Sequence, residues 1–396
     1  MVSHMNRVRQ RQGVTRPTLV SVRRHSCDLT ERLERFAHRL DPRREISVII
    51  GEQNAHAVGI GVSQVRKEIN EFRPPWWLRN PHLQTILAAR LLKPPVPSVE
   101  TERLELEDGD FLDLAHAPAQ GPARATVCLF HGLAGCVSSA YISGAINTLT
   151  ASGYRVTLMH WRGCSGEPNR LARSYHSGAT DDVMRLGQLL RKRFADEPLA
   201  AVGWSLGGNA LLVHLGQSGE ASPFDAALSV CPPLVLSVGA DKLDTGFTRN
   251  YQRYLLGLMR AQIEAKRHAY PELELPPAGP DLNTFWRFDD ALTAPLHGYR
   301  DVHHYYTDCS ARQWLGGIKR PTHILASDDD PFFTPAILPE ASELAPGTTL
   351  EVSAHGGHVG FIGAKGSGEH RGTPPGSRRW LDQRVAEVVS NLLDGL

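Results

Sequence analysis

The decisive stretch of this sequence reads Leu199-Ala200-Ala201-Val202-Gly203-Trp204-Ser205-Leu206-Gly207-Gly208. An apolar run typical of a buried strand leads into a Gly-x-Ser-x-Gly motif, and a helix is predicted to follow over Gly208–Leu215. In this context the motif predicts a sharp turn that points the Ser205 hydroxyl into a cleft at the carboxyl ends of the strands. The glycines allow close backbone approach, and the helix N-terminus favours developing negative charge. We therefore predict that Ser205 is a nucleophile.

Strand and helix patterns alternate on both sides of this motif. Continuous apolar strands separated by amphipathic helices predict a mostly parallel sheet with helices on both faces. Ahead of them, Leu104–Ala115 alternates apolar and polar residues around Asp108-Gly109, which predicts an antiparallel hairpin at one edge of the sheet. The predicted strands are Ala125–Phe130, Arg155–Trp161, Leu199–Trp204, Ala226–Cys231, Thr322–Ala326 and Thr349–Ser353. The predicted helices are Tyr141–Ser152, Asp181–Phe194, Gly208–Leu215 and Arg378–Leu393.

The alternation is interrupted, which predicts the domain organisation. Residues 232–317 are irregular, helical and rich in aromatic and basic residues, so we predict a helical cap inserted into a core formed by residues 72–231 and 318–396. Residues 1–61 are Arg-rich and polar, and we expect a poorly ordered extension with order beginning near Phe72. Just after this point, the Trp-Trp pair in residues 74–82 is expected to pack against the prolines that precede it.

Composition limits the classes of function. The chain has 396 residues, 41% hydrophobic and 21% charged, as in ordinary globular proteins. Its net charge of +1 arises from a basic extension, because residues 1–61 hold eleven Arg and no Lys against six acidic residues. The rest of the chain is near neutral, so no electrostatic argument favours nucleic acid as a partner.

The six cysteines are scattered and include no Cys-x-x-Cys pair. This spacing predicts neither a zinc site nor a disulfide framework, and several cysteines lie in apolar runs where a thiol behaves as a small core residue. A reducing, cytoplasmic compartment is therefore expected. No apolar run reaches 18 residues and the N-terminus lacks the pattern of a signal peptide, so neither a spanning helix nor secretion is predicted.

Candidate partners for Ser205 follow it in the chain, in the order acid and then histidine. A predicted strand ends in Asp328-Asp329-Asp330, where a carboxylate could orient a histidine. The next strand is followed by His355 and His358. We predict that His358 is the general base, because two glycines place it in the loop beyond the strand, whereas His355 at the strand end is expected to be structural.

Acyl transfer also needs donors for the developing oxyanion. His131-Gly132-Leu133 follows the strand Ala125–Phe130, which is the usual position for one donor. We predict that the backbone N–H groups of Leu133 and Leu206 form the oxyanion hole. His131 precedes Ser205 in the chain and is predicted to brace the loop rather than to act as a base.

Several segments between about residues 72 and 363 resemble the YheT-like branch of the α/β-hydrolase fold. These segments are Trp77–Thr85, His131–Leu133, Arg162–Asn169, Tyr175–Gly178, the turn at Ser205, Tyr251–Leu255, Phe288–Asp290, Asp329–Phe332 and Gly356–Phe361. The resemblance implies that the second Asp of the Asp-Asp-Pro motif is the triad acid. That position is Asp330, although the additional preceding Asp leaves Asp329 as an alternative.

The resemblance further implies hydrolysis of carboxylic esters by an acyl-enzyme mechanism, on short- to medium-chain esters or acylglycerols. The expected partner is thus a small-molecule ester or lipid. It also implies that neither a metal nor an organic cofactor is needed. Peripheral contact with a membrane and the oligomeric state are left open by the sequence.

Two other functions compete with ester hydrolysis. His176 and Asp181 form a His-x₄-Asp pattern associated with some acyltransferases, which would pass the acyl group to an alcohol or a lysolipid. Asp181 is equally explained as a first-turn residue favoured by the helix dipole. A non-catalytic binding protein on the same fold is the second alternative, and the intact set of Ser, Asp and His argues against it.

Overall fold

The structure is a computed structural model that describes residues 66–68, 72–364 and 379–396. The predicted N-terminal extension of residues 1–61 lies outside the described residues, as does most of a Gly- and Pro-rich run at 363–377. The described part of the chain contains every residue predicted above to act in catalysis.

Nine strands of the described chain form one sheet in the order β1-β9-β8-β7-β6-β4-β5-β3-β2. The strands are β1 (Arg66–Glu68), β2 (Glu100–Glu105), β3 (Phe111–Ala117), β4 (Ala125–Phe130), β5 (Tyr154–His160), β6 (Leu199–Trp204), β7 (Ala226–Val230), β8 (Thr322–Ser327) and β9 (Thr348–Ser353). Strands β4 to β9 run parallel to one another, and β2 and β3 form an antiparallel hairpin at one edge. The predicted mostly parallel sheet with an antiparallel edge is confirmed.

Helices cover both faces of this sheet. The α-helices of the described chain are α1 (Pro81–Arg90), α2 (Ala140–Ala151), α3 (Thr180–Arg193), α4 (Leu206–Ser218), α5 (Leu236–Leu243), α6 (Arg249–Ala269), α7 (Phe285–Phe288), α8 (Ala294–Leu296), α9 (Val302–Cys309) and α10 (Trp380–Asp394). One apolar cluster packs α3 and α4 against one side of the sheet, and another packs α2 and α10 against the opposite side. Alternate residues of β4 join different clusters, because successive strand side chains point to opposite faces.

The predicted elements agree with these bounds to within a few residues. Strands β4 and β6 have the bounds expected from their continuous apolar runs, since every residue in them is buried. Helix α4 begins at Leu206 rather than Gly208, because Ser205 itself is the N-terminal capping position. The sharp turn thus leads into the helix with no intervening loop.

The segment between β7 and β8 is helical, as the sequence suggests. It contains α5 to α9, with a π-helical turn at Asp289–Thr293 and a 3₁₀ helix at Ala311–Gly317. Two small apolar clusters lie within this segment, one centred on α9 and one joining α6 to the π-helical turn. Its separation from the core as a cap domain stays a prediction.

Two features near the start of the described chain differ from expectation. Strand β1 pairs in parallel with β9 and precedes the point at which order was expected to begin. Trp76 and Trp77 do not pack inward against the prolines, because both side chains are exposed, and the next residue, Leu78, is buried instead. The 3₁₀ turn formed by these residues leads to Asn80, whose side chain caps α1.

Candidate active site

Ser205 occupies a strained turn between β6 and α4. Its backbone has φ +51° and ψ −122°, a conformation that costs a non-glycine residue about 1–3 kcal/mol and is concentrated at functional sites. The Ser205 N–H donates to the carbonyl of Val230, 2.9 Å away on the adjoining strand β7. The turn is therefore fixed to the sheet, and its side chain emerges at the carboxyl ends of the parallel strands.

The glycines of the motif are required by close contacts. A Cβ atom on Gly203 would lie 2.5 Å from the carbonyl oxygen of Gly207. One on Gly207 would lie 2.3 Å from the carbonyl oxygen of Phe130, at the end of β4. Real Cβ atoms do not approach backbone this closely, so any larger residue would push the turn away from the neighbouring strand.

Ser205, His358 and Asp330 form a continuous hydrogen-bonded chain. His358 Nε2 lies 2.9 Å from Ser205 Oγ, and His358 Nδ1 lies 2.8 Å from Asp330 Oδ2. The His358 and Asp330 side chains are 9% and 6% exposed. With the proton on Nδ1 donated to the carboxylate, Nε2 is free to accept the hydroxyl proton of Ser205. This is the arrangement that activates a serine for nucleophilic attack.

The two neighbouring aspartates have different partners. Asp330 Oδ1 accepts from the Phe332 N–H at 2.8 Å, while its other oxygen faces His358. Asp329 instead accepts from the Gly357 N–H at 2.8 Å and lies 3.2 Å from Nδ1 of His355. The structure therefore brings Asp330 to His358, whereas Asp329 and His355 hold the loop that carries it.

Helix α1 supports the same loop, which the sequence did not predict. Thr85 Oγ1 accepts from the His358 N–H at 2.9 Å, and its own hydroxyl donates to Pro81. A Cβ on Gly357 would lie 2.5 Å from the Pro81 carbonyl oxygen, and this glycine has φ +59°. Only a glycine fits this contact and conformation. The position of His358 thus depends on α1, which is far from it in the sequence.

The loop after β4 lies against Ser205, as expected for an oxyanion hole. A Cβ on Gly132 would lie 3.2 Å from the Ser205 Cβ. The N–H groups of Gly132 and Ala134, on either side of Leu133, donate to tyrosine hydroxyls at 2.9 and 2.8 Å. For the amides of Leu133 and Leu206, no acceptor occurs among the described residues. Both are thus available to a ligand.

His131 is buried and braces this loop. Its Nδ1 donates to the Gly132 carbonyl at 2.7 Å, and its Nε2 accepts from the Trp161 N–H at 3.2 Å. Burial, with the neighbouring His160, lowers the pKa of His131 to about 3. The ring is therefore neutral with both nitrogens engaged, which leaves it no capacity to act as a base.

Aromatic rings surround His358. The Phe332 ring stacks on the imidazole with centroids 4.0 Å apart and planes 8° from parallel. Tyr251, from α6, contacts Phe332 at 5.0 Å. The Phe332 ring covers one face of the imidazole, and together with Tyr251 it extends an apolar surface from the triad towards the inserted helices. Their role could not be predicted, because the contact joins distant parts of the chain.

Cys231 also adjoins the triad. It lies at the end of β7 with φ +48°, and its Sγ and the nearest Asp330 and His358 atoms all lie within 4.8 Å of one another. Burial, together with the adjacent carboxylate of Asp330, raises the pKa of the thiol well above its usual range. It is therefore a neutral thiol beside the carboxylate. Nitrogen, sulfur and oxygen can ligate zinc, but the 2.8 Å separation between His358 and Asp330 is that of a hydrogen bond.

The His-x₄-Asp pattern has a structural explanation. His176 is half-buried, its ring lies 4.5 Å from that of His297, and its Nδ1 accepts from the Gly178 N–H at 3.1 Å. Burial lowers the pKa of His176 well below its usual range. Asp181 is exposed in the first turn of α3. Both residues are thus accounted for by local structure.

Comparisons with known proteins identify the family. The family described as "alpha/beta hydrolase fold" matches residues 125–365. "Putative esterase YheT" of Escherichia coli (strain K12) is 40% identical over 329 residues, which is 82% of this chain and 94% of the relative. The chain belongs to the α/β-hydrolases, in the branch that contains YheT.

More distant relatives of this α/β-hydrolase carry lipase names. "Phospholipase ABHD3" of Mus musculus is 26% identical over 74% of this chain and 73% of the relative. "Monoacylglycerol lipase" of Saccharomyces cerevisiae is 26% identical over 61% of this chain and 55% of the relative. A solved esterase of Pyrococcus furiosus is 14% identical, covers 75% of this chain and 91% of its own, and has a TM-score of 0.47.

Esterase and lipase are thus the activities named among the relatives, and this α/β-hydrolase is an ester-hydrolysing enzyme. Within the described residues, no helix has the length and apolar character required to cross a membrane.

Proposed function

We propose that the enzyme hydrolyses carboxylic esters through an acyl-enzyme formed on Ser205. The observation that carries this proposal is the unbroken hydrogen-bonded chain from Ser205 through His358 to Asp330. A serine hydroxyl is a weak nucleophile until a positioned base accepts its proton, and this chain supplies that base and its orienting acid.

Acylation begins when His358 Nε2 takes the Ser205 proton as Ser205 Oγ forms a bond to the ester carbonyl carbon. The carbonyl oxygen becomes an oxyanion, which the amides of Leu133 and Leu206 stabilise by donating hydrogen bonds. His358 then transfers its proton to the alkoxide as the carbon–oxygen bond breaks. Asp330 stabilises the imidazolium throughout and stays ionised. An alcohol and an acyl-serine are the products.

Deacylation repeats these steps with water in place of Ser205. His358 takes a proton from the water, whose oxygen attacks the acyl carbon. The same amides donate hydrogen bonds to the second oxyanion. His358 returns the proton to Ser205 Oγ as the bond between the acyl carbon and this oxygen breaks. The carboxylic acid leaves and the enzyme is regenerated.

Short- to medium-chain esters or acylglycerols are the proposed substrates. Phe332 and Tyr251 provide an apolar surface beside His358, which suits an acyl chain better than a charged group. The lipase and phospholipase names of relatives support an acyl-lipid substrate. We place the reaction in the cytoplasm, which agrees with the buried free thiols of Cys128, Cys164, Cys231 and Cys309.

Hydrolysis of p-nitrophenyl esters from acetate to palmitate tests this function. Ser205→Ala is compared with Ser218→Ala, a matched control at the far end of the same helix. We expect the Ser205 variant to lose about 10³–10⁶-fold in kcat and the control to retain wild-type activity. If the wild type hydrolyses no ester, or if Ser205→Ala retains its activity, the proposal is wrong.

A further inference from the structure

Exposed apolar side chains are concentrated in one short part of the chain, residues 72–99, here called the amphiphilic segment. Among the described residues, eight large hydrophobic side chains are exposed, and five of them lie in this segment. They are Trp76 (82% exposed), Trp77 (48%), Leu83 (41%), Leu91 (72%) and Val96 (59%). Single exposed apolar residues are common on protein surfaces, but such a concentration in about 30 residues marks an interaction surface.

All the charged side chains of the same segment are basic. It contains Arg73, Arg79, Arg90 and Lys93 and no Asp or Glu. Arg73, Arg79 and Lys93 are exposed. Elsewhere the enzyme pairs many surface arginines with carboxylates, as in the contacts of Arg103 and Arg193. The amphiphilic segment therefore presents positive charge beside exposed apolar side chains.

This segment is attached directly to the active-site loop. Gln84 donates to the carbonyls of Leu78 and Ile362 and accepts from the Ile362 N–H at 2.7 Å. Thr85 accepts from the His358 N–H. Docking at this segment would thus place the loop that carries His358 close to whatever surface the segment contacts.

A second exposed aromatic region adjoins the segment at His82. The His82 ring lies 4.6 Å from the ring of Phe247, which is 53% exposed, and its Nδ1 lies 3.1 Å from the Tyr251 hydroxyl. Tyr251 in turn contacts Phe332, the ring stacked on His358. A chain of aromatic contacts therefore links the exposed surface to the candidate active site.

We propose that the amphiphilic segment and Phe247 dock the enzyme on an anionic lipid surface, beside the entrance to Ser205. Tryptophan is favoured at the level of lipid head groups, where its ring is partly apolar and its N–H can hydrogen-bond. Each Lys or Arg near such a surface adds about 1 kcal/mol through attraction to anionic lipids. Delivery of a lipid ester from that surface to Ser205 rests on the proposed function, whereas the docking itself does not.

Flotation with phospholipid vesicles tests the docking. The full-length Ser205→Ala enzyme is used, so that hydrolysis cannot alter the vesicles, and vesicles of phosphatidylcholine alone are compared with vesicles containing about 30% phosphatidylglycerol. We expect the Ser205→Ala enzyme to bind the anionic vesicles, with an affinity that falls as the salt concentration rises. Adding Trp76→Ser and Trp77→Ser to the same enzyme should lower this affinity by at least about tenfold. As a control, Leu396→Ser removes an exposed apolar side chain outside the amphiphilic segment. The Ser205→Ala enzyme with this substitution should bind the vesicles as tightly as the Ser205→Ala enzyme itself.

Soluble-ester hydrolysis separates this proposal from the proposed function. An enzyme that keeps Ser205 and carries Trp76→Ser and Trp77→Ser should hydrolyse p-nitrophenyl butyrate at the wild-type rate. This result would also show that the variant folds. Undiminished vesicle binding by the double variant overturns the docking, as does equal binding to neutral vesicles. A dimer that dissociates in the variant would also overturn it, because a second copy would then cover the surface. Vesicle binding without ester hydrolysis would leave docking intact and refute the proposed function.

Discussion

Asp329 and Asp330 are neighbours in the sequence, but their carboxylates reach different histidines. Asp330 contacts His358, while Asp329 contacts His355 and the Gly357 N–H. At the scale of single residues this difference decides which carboxylate can orient the base. We propose that Asp330 stabilises the imidazolium of His358 and that Asp329 holds the loop in place.

Substituting each aspartate by asparagine tests this assignment. Asp330→Asn should lower kcat/KM by about 10²–10⁴-fold, because an amide at this position favours the tautomer in which Nε2 cannot accept the serine proton. Asp329→Asn should lower it by no more than about tenfold, through a less ordered loop. Steady-state kinetics on one soluble ester measures both variants. A larger loss in the Asp329 variant would assign the acid to that residue.

Gly207 provides a second test at the residue scale. Gly207→Ala would place Cβ within 2.3 Å of the Phe130 carbonyl, so we expect severe destabilisation or failure to fold. Gly257→Ala is the matched control, because nothing lies within 4 Å of its Cβ position on α6. There alanine should stabilise the helix by about 0.5–1 kcal/mol. Thermal unfolding measures the two variants, and a Gly207→Ala protein as stable as the control would contradict the close packing of the turn.

The site residues differ in how far the sequence could predict them. Ser205 could be predicted because a short local motif specifies its turn, and His358 because its loop follows a strand that ends at the same edge of the sheet. Thr85, Phe332 and Cys231 could not be predicted, since their contacts with the triad arise only when separate elements pack together. A threonine in a helix or a phenylalanine after an acidic turn has no sequence signal for such a role.

At the scale of elements, the π-helical turn at Asp289–Thr293 contains a buried carboxylate. Asp289 accepts from the hydroxyls of Thr293 at 2.6 Å and Tyr306 at 2.8 Å. Burial raises the pKa of Asp289 from 3.8 to about 6. Between pH 3.8 and about pH 6, Asp289 holds a proton in the folded protein but not in the unfolded chain. The free energy of unfolding therefore falls as the pH rises through this range.

Asp289→Asn should therefore stabilise the enzyme at pH 8 by about 1–3 kcal/mol, because the variant buries no charge. Either hydroxyl can accept from the new amide, which keeps both contacts. The advantage should disappear as pH falls to about 4. Denaturant unfolding at several pH values measures it, and a variant less stable than wild type at pH 8 would show that ionised Asp289 stabilises this turn.

The bounds of some strands could be predicted from local sequence, whereas those of others depend on long-range contacts. The bounds of β4 and β6 could be predicted because strands buried on both faces are continuously apolar. Strand β1 could not, since its residues Arg66–Glu68 are all charged and its pairing with β9 is a long-range contact. The exposure of Trp76 and Trp77 was also missed, because apolar composition by itself favours burial.

At the scale of the whole molecule, buried histidines make the fold sensitive to acid. Burial is the largest cause that lowers the pKa of six histidines, to about 3 for His131 and about 4 for His214. The others are His82, His160, His176 and His297. The unfolded chain protonates these groups near pH 6.5 and the folded protein does so at lower pH. Stability is therefore complete above pH 6.5 and is lost as pH falls.

We expect the midpoint of thermal unfolding to fall steadily from pH 7 to pH 5. Asp289 acts in the opposite direction over the same interval, so the measurement is cleanest in the Asp289→Asn variant. Differential scanning calorimetry at constant ionic strength measures the midpoint. A midpoint that is constant or rises on acidification would contradict neutral burial of these histidines.

The order of strands and the layers of helices follow from rules that apply to whole molecules. Parallel strands with apolar faces require helices on both sides, so the alternating pattern predicts the sheet and its layers together. How residues 232–317 fold back against the site could not be predicted, because that segment has no repeating pattern and its contacts depend on individual aromatic rings.

Reaction with a fluorophosphonate is the most direct test of the central claim, because this reagent phosphonylates activated serines far faster than unactivated ones. We predict one adduct per molecule, located on Ser205 by peptide mass spectrometry and absent from both Ser205→Ala and His358→Ala. The His358 variant keeps the serine and lacks only its base. An unlabelled wild type, or a label on any residue other than Ser205, would contradict the account.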